Sequence, residues 1–161
     1  MIKEKQLFNG KRIRFPEGEG ITLDVAVEEI MDRADQNAVA LAHFRDQVKF
    51  GGLIGGSIED CAVFYHPDHK KDYMNIVVRV AHRGKYALLS IDHIGTSKMG
   101  NKVAARDSRR EVIRGESLGF KIGYTLTSTL TTLNASRSKL EQEEDWYMMV
   151  KDILDDITGC S

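Results

Sequence analysis

Between Tyr73 and Ile94 the chain reads YMNIVVRVAHRGKYALLSIDHI, and no other stretch constrains the fold as strongly. With the turn at Arg83-Gly84, Met74, Ile76, Val78 and Val80 share one face with Ala87, Leu89 and Ile91. Asn75, Arg79, Ser90 and Asp92 then take the other face. Alternation on both arms predicts an antiparallel pair with one face in a core, placed at the centre of a sheet. The same pairing sets Met74 opposite His93 and returns Asp92 and His93 to the end of the sheet where His66, Asp68, His69 and Asp72 lie.

The flanking sequence extends this sheet. AVALAHF, DQVKF and CAVFYH read as short strands, separated by a turn-like Arg45-Asp46 and by the glycine tract GGLIGG. No Lys-Ser or Lys-Thr and no helix follows that tract, so it reads as a turn or bulge and not as a phosphate cradle. Near the N-terminus, QLFNGKRIRF carries Asn9-Gly10, which suits a two-residue hairpin at a sheet edge, ended by Pro16 and the glycines that follow. From Thr22, a good N-cap, the apolar residues Leu23, Val27, Ile30, Met31 and Ala34 recur at helical spacing.

From Asn101 onward the pattern is mainly helical. Residues Leu118 to Leu133 satisfy both a strand and a helix period, and the longer Leu118, Ile122, Leu126, Leu130, Leu133 stripe selects the helix. Gly115, Gly119 and Gly123 form a second row, suited to close packing within the fold. In the last segment Leu140, Tyr147, Val150, Leu154 and Ile157 form one side, widened by Trp146 and Ile153, with Gly159 at a C-cap position.

Composition excludes several classes. A chain of 161 residues with 42% apolar and 29% charged residues is that of one folded domain, not of a disordered or fibrous protein. Its formal charge of −1 gives no overall attraction to polyanions. Cys61 and Cys160 are too few and too far apart for a disulfide framework or a zinc knuckle. No apolar h-region follows the N-terminal basic residues and no apolar window would span a membrane, so the expected location is cytoplasmic. The Asn134-Ala135-Ser136 triplet is formally a glycosylation sequon, read as chance.

Three features carry chemistry. His66, His69 and His93 with Asp72 are the ligand types of zinc or of a two-histidine-one-carboxylate iron site, which would suit a small metal-dependent hydrolase. The HPDH spacing is no established motif, and a solvated turn at Pro67 explains the same residues. The stretch Lys98 to Arg114 gathers Lys98, Lys102, Arg106, Arg109, Arg110 and Arg114 on about half a helical wheel. Such a face can hold phosphates or nucleic acid, but no aromatic is interleaved for base stacking, so a solvated or carboxylate-matched face is the simpler reading. Finally, Trp146, Tyr147, Met148, Met149 and Val150 follow one another, more apolar surface than one amphipathic face hides. Trp146, Met148 and Met149 are therefore the expected interface.

No nucleophile elbow or nucleotide-binding signature is present, and Cys61 sits in a packing context. The expectation is a single α+β domain over 1–161, with hairpin, helix and sheet in 1–98 and a helical part in 99–161. In this fold an antiparallel meander of four to five strands follows one helix, and two or three C-terminal helices cover it. The expected function is non-enzymatic: a module that binds a protein partner or forms a homodimer through its C-terminal helices. Neither cofactor, small-molecule substrate, membrane nor nucleic acid is expected as its ligand.

Overall fold

The computed structural model describes residues 1–52, 55–97, 99–101 and 134–159. They form an α+β fold with strands β1 (Ile2–Lys3), β2 (Phe8–Phe15), β3 (Ala42–Phe50), β4 (Ser57–Tyr65), β5 (Asn75–Arg83) and β6 (Tyr86–Ile94). The described helices are α1 (Leu23–Gln36) and α2 (Asn134–Thr158), with a single 3-10 turn at Glu4–Gln6 and a helical turn at 99–101. Lys98 and residues 102–133, which carry most of the basic stretch from Lys98 to Arg114, the glycine row and the Leu118 to Leu133 stripe, lie outside the described residues, as does Cys160.

Strands β3, β4, β5 and β6 make the expected antiparallel meander. The N-terminus alters the rest. β1 pairs parallel to β3, Ile2 with Val48 and Lys3 with Lys49, while β2 crosses to the far edge and runs antiparallel to β6. The sheet is therefore mixed and six-stranded, in the order β1-β3-β4-β5-β6-β2. Asn9-Gly10 is not a hairpin turn. Phe8 pairs with His93 and Lys11 with Ile91, so three steps on β2 match two on β6, which is a bulge. Asn9 takes φ 51°, and a Cβ on Gly10 would stand 2.5 Å from Asp92 Oδ1, so the pair serves close approach to β6. Nor do Arg45 and Asp46 form a turn: they continue β3, where Asp46 meets the N-terminal ammonium of Met1 at 2.9 Å.

The β5–β6 hairpin turns on Gly84 and Lys85. Gly84 has φ 63°, the left-handed first position that a type II′ turn asks for and that glycine supplies without strain. The register pairs Ile76 with His93, Val78 with Ile91 and Val80 with Leu89, two residues from the one expected of Met74 and His93. A displacement of two preserves every face assignment, because side chains alternate with period two.

One face of the sheet packs under α1 and α2. Ala62, Phe64, Ile76, Val78, Leu89 and Ile91 meet Ala26, Val27, Ile30 and Ala34 of α1 and Trp146, Tyr147, Val150, Ile153 and Leu154 of α2. Each fully buried side chain of this size contributes roughly 1.5–3 kcal/mol. α1 begins where expected, with Thr22 Oγ1 accepting from the Val25 amide at 3.2 Å, and α2 ends at Gly159 with φ 64°. The opposite face is also buried: Val48, Cys61, Val63 and Val77 cluster with Phe44 and Phe50. Beside them lies a buried ion network, in which Arg79 bonds Glu59 at 2.5 Å and Asp92 at 2.7 Å, and Arg12 reaches Asp92 at 3.0 Å.

Candidate functional site

The run Trp146 to Val150 divides on α2. Trp146, Tyr147 and Val150 turn inward, and the Trp146 indole donates to the Ala40 carbonyl at 2.7 Å. Trp146 is thus part of the core, leaving 3% of its surface exposed, whereas Met148 and Met149 are 47% and 46% exposed. At about 100° per residue, five consecutive positions exceed what the sheet can seat, and the two methionines are the excess.

Two contacts fix this orientation. Glu143, buried one turn before Trp146, accepts the Met74 amide at 2.8 Å and the Ser97 hydroxyl at 2.5 Å. Ser97 Oγ also accepts the Gly100 amide at 2.9 Å, which makes Ser97 the cap of the turn at 99–101. Nothing in the sequence sets Glu143 apart, since a glutamate inside the acidic run Glu141 to Asp145 reads as part of a solvated face. The available signal is its place three residues before Trp146, on the apolar side of the wheel.

Among the described residues the three histidines fall in two settings. His66 and His69 adjoin each other in the β4–β5 connection, with ring centroids 4.9 Å apart, and His69 stacks on Tyr73 at 4.3 Å. His66 also meets the edges of Tyr73 and Trp146. His93 belongs to a different environment: its Nε2 lies 3.1 Å from the Tyr147 hydroxyl and its Nδ1 3.3 Å from the Asn9 carbonyl. Among the described residues the Asp72 carboxylate reaches His69, at 3.7 Å. Among the described residues no group of three or more histidine, cysteine or carboxylate side chains is placed to hold a metal ion. Burial, with Asp46 nearby, pushes the Cys61 thiol up to about 11, which disfavours the thiolate.

The His66 cluster has a pH consequence. Burial and the adjacent His69 lower its pKa, against a smaller opposing effect of Asp68, and its Nδ1 accepts the Asp68 amide at 3.2 Å. The folded state therefore binds that proton less readily than the unfolded chain does. Stability from the neutral ring is present above the unfolded value of 6.5 and is lost as pH falls below it toward the depressed folded value. We expect urea midpoints to fall between about pH 7 and pH 5, and His66→Gln to flatten that fall. An unchanged slope would show that His66 does not titrate with folding. The acid carboxylates act in a lower window. Burial raises Asp155, but hydrogen bonds from Lys151 and Lys11 outweigh it, so its contribution is lost only below the usual carboxylate range.

The candidate site is the outer surface around Met148 and Met149. Between the C-terminal end of α1 and the C-terminal half of α2 lies an open groove of about 370 Å³, lined by Arg33, Asn37, Val39, Met149, Asp152, Ile153 and Asp156. Val39 and Ile153 are buried and give it an apolar floor. Arg33 spans it, bonding Glu29 at 2.9 Å on α1 and Asp156 on α2. Lys102, Arg106, Arg109 and Arg110 of the phosphate reading lie outside the described residues. No described helix is long and apolar enough to cross a membrane. No protein-family model, curated protein or solved structure matches the chain.

Proposed function

We propose that this chain is an interaction module whose C-terminal helix docks a protein partner through Met148 and Met149. The observation that supports it is the exposure of two adjacent methionines beside a groove with an apolar floor. Methionine is unbranched and polarizable, so it conforms to a partner surface at little cost in shape. Two exposed apolar side chains set side by side on a well-packed helix suit a contact surface. The hydrolytic alternative draws no support from His66, His69 and His93, which form no metal-holding group among the described residues.

The test compares the parent protein with Met148→Glu plus Met149→Glu, both checked for folding by circular dichroism. Light scattering reads association with a second copy. Retention of proteins from an extract, followed by rebinding of the purified species, reads association with another chain. We expect association by one of these routes in the parent, weakened at least about tenfold in the variant. Association that is equal in parent and variant, or absent from both measurements, contradicts the reading.

A further inference from the structure

The charge distribution narrows the chemistry of the partner. α1 carries five carboxylates and one cation, and α2 seven carboxylates and three cations, so the helices hold eight uncompensated negative charges in a chain whose formal charge is −1. On α2 these charges frame the methionines. Asp145, Met148, Met149, Asp152 and Asp156 recur at three- and four-residue steps, and all five are exposed. Asp156 is paired with Arg33, whereas Asp145 and Asp152 form no ion pair among the described residues.

We propose that the surface takes a basic amphipathic helix, a segment presenting apolar side chains between two cations about two turns apart. This rests on the docking role of Met148 and Met149 and adds the partner's chemistry. Asp145 and Asp152 are seven positions apart, about 10 Å along the helix axis, with the methionines between them. A helix laid along α2 beside the Arg33–Asp156 bridge meets the same spacing with cations one heptad apart and places its apolar residues on the exposed Met148 and Met149. A second copy fits poorly: a twofold contact through this surface sets the same carboxylates against each other, and like charges so juxtaposed oppose binding. An anionic membrane or a nucleic acid is repelled for the same reason.

The probe is a fluorescent peptide of leucine and lysine only, patterned as an amphipathic helix with lysines one heptad apart, titrated by polarization at about 0.03 M and about 0.15 M salt. Binding to the parent is expected, weakening with salt. Met148→Ser with Met149→Ser, and separately Asp145→Asn with Asp152→Asn, should each weaken it about tenfold, the second also flattening the salt dependence. Asp24→Asn with Glu28→Gln removes the same charge from α1 away from the groove and should change binding by less than about twofold. Equal weakening by the α1 variant overturns the proposal, since it would show only bulk attraction. Absence of peptide binding to the parent overturns it too. If that result accompanies Met148- and Met149-dependent self-association, the docking surface stands and only the basic partner falls. If it accompanies no association of any kind, both fail.

Discussion

Val78→Asp is expected to leave the domain unfolded. Val78 is fully buried at the middle of β5, paired with Ala62 on one side and Ile91 on the other, and faces the α1–α2 layer. A carboxylate there is desolvated among Phe64, Leu89 and Val150, and the nearest strand cation, Arg79, points to the opposite face. The penalty of an unpaired buried charge is several kcal/mol, comparable with the roughly 5–15 kcal/mol that holds a domain together. Val25→Asp is the control: Val25 is 48% exposed on α1, and its substitution should shift stability by no more than about 0.5 kcal/mol. Circular dichroism with urea titration reads both. A cooperatively melting Val78→Asp protein would show that the face assignment is wrong.

Asp92→Ala is expected to cost about 3–5 kcal/mol, because it strips one carboxylate from a buried guanidinium. Asp92 and Arg79 are 2% and 4% exposed, and Arg79 would keep only Glu59 on the rim of the network. Among the described residues the Arg79 Nε already lacks a hydrogen-bond partner, so little slack exists to absorb the loss. Combining Asp92→Leu with Arg79→Met should restore most of the stability, since a buried pair can often be exchanged for apolar groups of similar volume. Arg12, largely exposed, returns to water in that double variant. Denaturation midpoints decide the point: additive losses in the double variant would mean that the two side chains act independently.

The difference between these predictions reflects what the sequence carries. Val78 and its face were legible because alternation is local and survives a two-residue error in register. Thr22 and Gly159 were legible because a cap is a property of a few neighbouring residues. β2 was not legible: Asn9-Gly10 suits a local hairpin, and nothing nearby shows that Phe8 pairs with His93 at the far edge of the sheet. In the sequence β3 reads as two strands broken at Arg45-Asp46, because one side of that strand is exposed and charged residues there resemble a turn. On α2 the surplus of apolar residues was visible, but which of them the sheet takes depends on where α1, Ala40 and Glu143 fall. That is long-range information, and it sends Trp146 inward while leaving Met148 and Met149 outside. In the sequence the three histidines resemble a constellation because pairing Met74 with His93 returns the β6 end to the turn that carries His66 and His69. Two residues of register and the partners Asn9 and Tyr147 take His93 elsewhere.

The most direct measurement of the docking surface is a carbon-13 methyl spectrum of the methionines during titration with the leucine-lysine peptide. The chain has 6 methionines, and their burial sorts them in advance: Met74 and Met99 lie in the core, whereas Met148 and Met149 are exposed on α2. Assignment by single Met→Leu substitutions gives each methyl its own reporter. The account predicts saturable shifts at Met148 and Met149 while Met74 and Met99 hold their positions. Shifts confined to Met1, or no saturable shift at Met148 and Met149 while the peptide binds, would contradict it.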